Sequence, residues 1–213
     1  MSEVTKYVED AVASVTFECS DTLPNIFLIG DSIRRGYCKT VKAELKGKAE
    51  VFYVDDNCRS TQYVIFSIRK WAEMFSDRKK VDIVHFNCGH WDIAHFSGCP
   101  ESLTSEEEYA KNIGKVIFLI RKFFPNAKII FATTTPMDPS GKVGGNPRSN
   151  AEVERYNEIA TEVCRSEGIE INDIHAATRD WGEECFKDYC HLTPEAFAEV
   201  GKMVAKKLCE VQS

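Results

Sequence analysis

Short apolar segments alternate along the chain with longer segments in which apolar residues recur every three or four positions. Short apolar runs bounded by turn residues are typical of buried strands, and the longer period is typical of helices with one buried face. The alternation therefore predicts an α/β fold, with helices covering both faces of a parallel sheet. Five strands are predicted, at residues 25–30, 50–54, 81–87, 128–133 and 169–172.

The same pattern predicts helices at residues 33–45, 61–75, 105–124, 150–167 and 194–209. Thr193 before Pro194 is a typical helix start, because a hydroxyl caps the first turn and proline fits its first position. Pro125 and Gly168 end the two helices that precede them.

A chain of 213 residues is long enough for one sizeable core. We expect a single domain over residues 1–213, with its core at about 25–210. Three long loops, at residues 88–103, 134–149 and 173–192, each follow a strand. In an open parallel sheet ligands bind outside the carboxyl ends of the strands, so these loops are expected to surround the functional site.

Charge and hydropathy exclude several classes of protein. The net charge is −6 and no basic stripe occurs, which argues against a partner that is a nucleic acid. The apolar runs, such as residues 116–120, are too short to span a bilayer, so no membrane partner is expected. Glu3, Glu9 and Asp10 interrupt the N-terminal segment, which lacks the pattern of a secretory signal, so we expect a cytoplasmic protein.

The nine cysteines have irregular spacing and form no Cys-x-x-Cys motif, so they predict neither a disulfide framework nor a redox motif. The densest group of possible metal ligands comprises His85, Cys88, His90, His95 and Cys99. Its spacing differs from that of known zinc sites, so we expect no metal and no cofactor. A metal held by this group stays open as an alternative.

Two short segments carry residues suited to nucleophilic catalysis. Gly30-Asp31-Ser32 follows the first strand, where Ser32 is either a nucleophile or the N-cap of the next helix. Asp188 precedes His191 by three residues, a spacing that lets the carboxylate hold one imidazole nitrogen while the other faces a nucleophile. His191 is alternatively a capping or packing residue. Both segments follow strands, so they are expected at the same edge of the sheet.

Together with the block Asn87-Cys88-Gly89-His90-Trp91-Asp92, these segments resemble the SGNH (GDSL) hydrolase family over residues 25–210. The resemblance implies a flavodoxin-like, three-layer α/β/α fold with a five-stranded parallel sheet in the order 2-1-3-4-5. It also implies ester hydrolysis without a metal. Ser32 would be the nucleophile, His191 the general base and then acid, and Asp188 the residue that orients the imidazole.

The chain departs from the family pattern where the oxyanion hole is expected. The glycine that usually follows the second strand is absent, so the backbone N–H groups of Asn57 or Cys58 are the candidates beside that of Ser32. Trp91 stands where the family has an oxyanion asparagine, and Asn87 is either its substitute or a strand-end turn residue. The resulting Asn-x-Gly-x-Trp-Asp form resembles a branch that includes carbohydrate esterases.

The loops near the predicted site are polar and aromatic. His90, Trp91 and Arg59 are candidate substrate-binding residues, with packing and solvation as the alternatives. The loops have no long apolar lining, which favours a short acyl group, such as acetyl on a carbohydrate. Two alternatives remain: an O-acyltransferase that uses the same residues, and a non-catalytic module that binds a carbohydrate or peptide.

Overall fold

A computed structural model of the chain describes residues 16–212. Its single sheet is parallel throughout, with strand order β2-β1-β3-β4-β5. This order confirms the prediction. The strands are β1 (Asn25–Ile29), β2 (Glu50–Tyr53), β3 (Val81–Phe86), β4 (Lys128–Ala132) and β5 (Glu170–Asn172).

Six α-helices occur in the described part of the chain, and five of them match predicted segments. They are α1 (Ser32–Glu44), α2 (Thr61–Ala72), α3 (Glu106–Phe123), α4 (Asn150–Ser166), α5 (Ile174–Thr178) and α6 (Pro194–Gln212). The short helix α5 lies inside a segment that was expected to be a loop. Helix α2 ends three residues earlier than predicted, because Phe75 leaves the helical path and forms a parallel bridge with Phe17.

The sheet separates two apolar layers. Along β1, Phe27 and Ile29 face one layer and Ile26 and Leu28 face the other, as expected for a strand buried on both sides. Helices α2, α3 and α4 cover the first face, and α1 and α6 cover the second. This arrangement is the predicted three-layer α/β/α architecture, and it buries both faces of the central strands.

The carboxyl ends of all five strands lie at one edge of the sheet. Ser32 follows β1, Asn87 follows β3, and His191 lies in the connection between β5 and α6. The start of α6 is fixed by Thr193, whose hydroxyl accepts a hydrogen bond from the N–H of Ala196 (3.3 Å). Over residues 16–212 we find no helix with the length and hydropathy needed to cross a membrane.

Candidate active site

Ser32 is the first residue of α1, and the N-cap of this helix is Asp31. The carboxylate Oδ1 of Asp31 accepts a hydrogen bond from the N–H of Ile33 (2.9 Å). The alternative in which Ser32 serves as the N-cap is therefore wrong. Because the cap is made by its neighbour, the Ser32 hydroxyl is free for another partner. Burial is the largest influence on Asp31 and raises the pKa of its carboxyl group.

That partner is His191. The Ser32 Oγ lies 2.9 Å from His191 Nε2, and His191 Nδ1 lies 2.8 Å from Asp188 Oδ2. The Asp188 Oδ1 also accepts hydrogen bonds from the backbone N–H groups of Cys190 (3.0 Å) and His191 (2.8 Å). Burial raises the pKa of Asp188, but these hydrogen bonds outweigh it and hold the pKa below its ordinary value. The three side chains predicted from sequence are thus joined in one hydrogen-bonded chain.

A tight loop holds the acid and the histidine. Phe186 and Leu192 form an antiparallel bridge, and the N–H of Lys187 donates to the carbonyl of His191 (2.8 Å). At the foot of the loop, the N–H of Thr193 donates to the carbonyl of Cys185 (2.8 Å). The loop therefore fixes the backbone on both sides of His191, directly before α6 begins.

Asn87 packs against the turn that carries the serine. Its Nδ2 donates to Asp31 Oδ1 (3.2 Å), and the residue is almost completely buried. A Cβ atom on Gly30 would lie 1.9 Å from Asn87 Oδ1, so only glycine fits at position 30. The amide of Asn87 is thus held beside the residue that precedes Ser32, which is compatible with its predicted role as an oxyanion donor.

The two predicted backbone donors after β2 differ in their availability. The N–H of Cys58 donates to the carbonyl of Gly30 (3.1 Å), so this group is engaged within the fold and its predicted oxyanion role is wrong. Asn57 accepts the N–H of Arg59 on its side-chain oxygen (3.0 Å), and Arg59 adopts a positive φ of 47°. In the described part of the chain the N–H of Asn57 has no hydrogen-bond partner.

Arg34 is a buried residue of the site whose structural role was not predicted from the sequence. Its guanidinium donates to the carbonyls of Gly30 (3.2 Å) and Val54 (3.0 Å) and to that of Asp56. These bonds attach the loop after β2 to the end of β1. The helical period was the available signal, because position 34 falls on the buried face of α1 with Ile33 and its neighbours.

Asp92 connects the third block to α2. Its carboxylate accepts the N–H of Thr61 (3.1 Å) and the hydroxyls of Thr61 (2.6 Å) and Thr104 (3.0 Å). Ser60, the N-cap position of α2, makes no side-chain cap, so Asp92 supplies it from a distant loop. Burial raises the pKa of Asp92 to about 6. Sequence reasoning missed this role, because the helix that Asp92 caps begins 31 residues earlier in the chain.

The three predicted substrate-binding residues are not equivalent in the structure. Trp91 and Arg59 line an open groove of about 400 Å³, here called the aromatic groove. Its other lining residues are Ser60, Gln62, Tyr63, Phe66, Phe96 and Leu103. His90 is only 1% exposed, and its Nε2 lies 3.2 Å from Thr135 Oγ1. The prediction that His90 lines a substrate pocket is therefore wrong, since the side chain points into the protein.

The five side chains considered as metal ligands do not converge. His85 contacts Asn172 (3.1 Å), whereas His95 pairs with Glu152 (2.6 Å). Over residues 16–212, one other group brings three possible metal-ligand atoms within 4.8 Å of one another. It consists of Asp188, Cys190 and His191. The histidine and cysteine residues around Cys88 therefore do not form a metal site.

Comparison with known proteins gives consistent matches. The sequence pattern that defines the GDSL-like lipase/acylhydrolase family matches residues 28–198. A GDSL esterase/lipase from Arabidopsis thaliana, CPRD49, is 27% identical over 140 residues, which cover 61% of this chain. The aligned part spans 52% of that protein, so the chain corresponds to about half of this relative.

Two solved structures show the same fold at low sequence identity. The acetyl xylan esterase AlAXEase superposes with a TM-score of 0.70 at 16% identity, over 86% of this chain and 99% of its own. Est24, a carbohydrate acetylesterase from Sinorhizobium meliloti, superposes with a TM-score of 0.61 at 15% identity, over 88% of this chain and 99% of its own. At these identities the likeness establishes the architecture alone.

Proposed function

Because the chain belongs to the GDSL-like lipase/acylhydrolase family, a family of ester hydrolases, we propose that it is a serine esterase whose nucleophile is Ser32. The observation that carries the proposal is the contact of 2.9 Å between Ser32 Oγ and His191 Nε2, continued to Asp188 on the other imidazole nitrogen. A serine becomes a nucleophile when an oriented base takes its proton, and this geometry supplies the base and its orientation.

In the first half of the reaction, Ser32 Oγ attacks the ester carbonyl carbon and its proton passes to His191 Nε2. Asp188 keeps the other ring proton on Nδ1 and stabilises the imidazolium. When the tetrahedral intermediate collapses, His191 gives its proton to the leaving alcohol oxygen and the acyl group stays on Ser32. Water then attacks the acyl-serine, His191 takes the water proton, and the acid is released as the Ser32 hydroxyl is restored.

The negative charge of the tetrahedral intermediate needs hydrogen-bond donors at this edge of the sheet. We propose the N–H of Ser32 at the start of α1, the N–H of Asn57 and the side-chain amide of Asn87. Each well-placed donor contributes about 3 kcal/mol to lowering the barrier, since the donors are oriented before the charge develops. Asn87 is held by Asp31, and Asn57 lies in the loop that Arg34 attaches to β1.

We further propose that the substrate is a short-chain ester, such as an acetyl ester, whose alcohol portion is a carbohydrate. The aromatic groove supports this class, because the C–H faces of a sugar pack on aromatic side chains while polar groups bind its hydroxyls. Trp91 and Phe96 pack with ring centroids 5.6 Å apart and their planes tilted by 39°, and Phe66 is 86% exposed. The acetyl xylan esterase and the carbohydrate acetylesterase that share the fold are consistent with this class.

The test compares hydrolysis of p-nitrophenyl acetate, butyrate and octanoate by the wild type, Ser32→Ala and His191→Ala. We expect acetate to be preferred, and kcat to fall about a thousandfold or more in both variants. Ser166→Ala and His175→Ala remove the same side chains elsewhere and should retain wild-type rates. Hydrolysis that survives in Ser32→Ala would refute the proposed nucleophile.

The carbohydrate part of the proposal has its own measurement. Trp91→Ala should raise KM for xylose tetraacetate about tenfold, while its KM for p-nitrophenyl acetate changes much less, because that substrate has no sugar ring to stack. An equal rise for both substrates would show that Trp91 supports the site without recognising a sugar.

A further inference from the structure

Arg148 lies directly beside the loop that carries the acid and the histidine. Its Nη1 is 3.7 Å from Cys190 Sγ, and that sulfur is 3.6 Å from His191 Nδ1. The guanidinium carbon also lies over the ring of Tyr189, 5.5 Å from its centroid. A single cation is thus held on the histidine side of the site by two consecutive residues of the loop.

Arg148 has no carboxylate partner among the residues that the structure describes. Over residues 16–212, arginines 35, 69, 121, 155 and 179 form ion pairs with acidic side chains, whereas arginines 34, 59, 78, 148 and 165 form none. The Nε of Arg148 is buried and lacks a hydrogen-bond partner among the described residues. Among the arginines of residues 16–212, Arg148 alone has a buried guanidinium nitrogen without a hydrogen bond, which is unusual because buried polar groups generally find a partner.

The charge of Arg148 also reaches the residues around the serine. Burial dominates at His90 and lowers its pKa, and the positive charge of Arg148 lowers it further. At Asp31, burial raises the pKa of the carboxyl group, and Arg148 is among the charges that oppose this rise. Arg148 therefore contributes a positive charge close to the buried residues that surround Ser32.

The proposed reaction places the oxygen end of the alcohol portion on this side and leaves the aromatic groove to the part of the carbohydrate that is farther from the ester. His191 must protonate the leaving oxygen, so the group attached to that oxygen lies next to the imidazole and the loop around Cys190. Guanidinium binds carboxylate, sulfate and phosphate by paired hydrogen bonds, and its half-buried position strengthens such a contact.

We propose that Arg148 binds a negatively charged group on the alcohol portion of the ester, an inference that rests on the proposed esterase function. The preferred substrates are then acyl esters of an acidic alcohol, such as a sugar that carries a carboxylate, sulfate or phosphate. Arg148 determines specificity in this scheme and takes no part in proton transfer.

The test uses two acetyl esters that differ in charge, 4-acetoxybenzoate and its methyl ester. We expect the ratio of their kcat/KM values, anionic over neutral, to fall about tenfold in Arg148→Gln relative to the wild type, mainly through KM. Arg148→Lys keeps the charge and should retain part of the ratio. Arg69→Gln removes an exposed arginine that pairs with Glu73, and should leave the ratio unchanged.

An equal loss for both esters in Arg148→Gln and Arg148→Lys would overturn the inference, because Arg148 would then only support the loop. An unchanged ratio in both variants would overturn it as well. Binding of 4-acetamidobenzoate and its methyl ester, amide analogues of the two substrates, is measured by calorimetry alongside. If the wild type hydrolyses neither ester, the esterase proposal fails. The anion site then stands only if Arg148→Gln weakens binding of the charged analogue about tenfold and spares the neutral one.

Discussion

Replacing Asp188 with asparagine tests the proposed mechanism at its most specific point. In the structure, Asp188 Oδ1 accepts the N–H groups of Cys190 and His191, so an asparagine would keep its carbonyl oxygen there. Its NH₂ group would then occupy the position of Oδ2, 2.8 Å from His191 Nδ1. The carbonyl oxygen would lie farther from Nδ1, at 3.1 Å, so the closer NH₂ donor favours a ring that accepts at Nδ1 and carries its proton on Nε2. The imidazole could no longer take the proton of Ser32.

The expected loss follows from this change of tautomer. We expect kcat of Asp188→Asn to fall by about a thousandfold to ten-thousandfold, with little change in KM. The stability loss should be small, about 1 kcal/mol, because both backbone hydrogen bonds survive. Asp188→Ala removes these backbone hydrogen bonds as well. It should therefore be less stable than Asp188→Asn, although its kcat should be no lower.

The assay is p-nitrophenyl acetate hydrolysis at saturating substrate, with urea unfolding of each variant measured in parallel. Asp180→Asn is the matched control, because this exposed carboxylate lies in the same connection and contacts only Arg179 among the described residues. If Asp188→Asn keeps more than about a tenth of the wild-type kcat, the tautomer argument is refuted and His191 must be oriented by another group.

Three further outcomes are expected. Asn87→Ala should lower kcat about a hundredfold, and a change of less than a few fold would exclude Asn87 as an oxyanion donor. Gly30→Ala should cost about 1–3 kcal/mol in urea unfolding, because the added Cβ would overlap Asn87 Oδ1; wild-type stability would contradict this. Burial raises the pKa of Asp92 to about 6 from 3.8, so the folded protein holds a proton there that the unfolded chain loses. Its free energy of unfolding should therefore fall by up to about 3 kcal/mol as the pH rises through this window, and Asp92→Asn should flatten that dependence in urea titrations at about pH 4 and pH 7.

The sequence by itself determined the architecture. The two hydrophobic periods gave the five strands and the five longer helices, and the family resemblance gave the strand order. The pairing of Asp188 with His191 could also be predicted from the sequence, because the two residues lie within one turn of the chain. Local interactions of this kind depend on residue type and spacing, both of which can be read from the sequence.

Only the tertiary structure decided which groups in the strand-end cleft are available. The N–H of Cys58 is engaged by Gly30, and His90 points inward, although both lie in segments whose positions were predicted correctly. The contacts of Arg34 and Arg148 are made with carbonyls and side chains on other loops. The direction of a side chain and the partner of an N–H are set by whatever packs against them, and in this site those neighbours are distant in sequence.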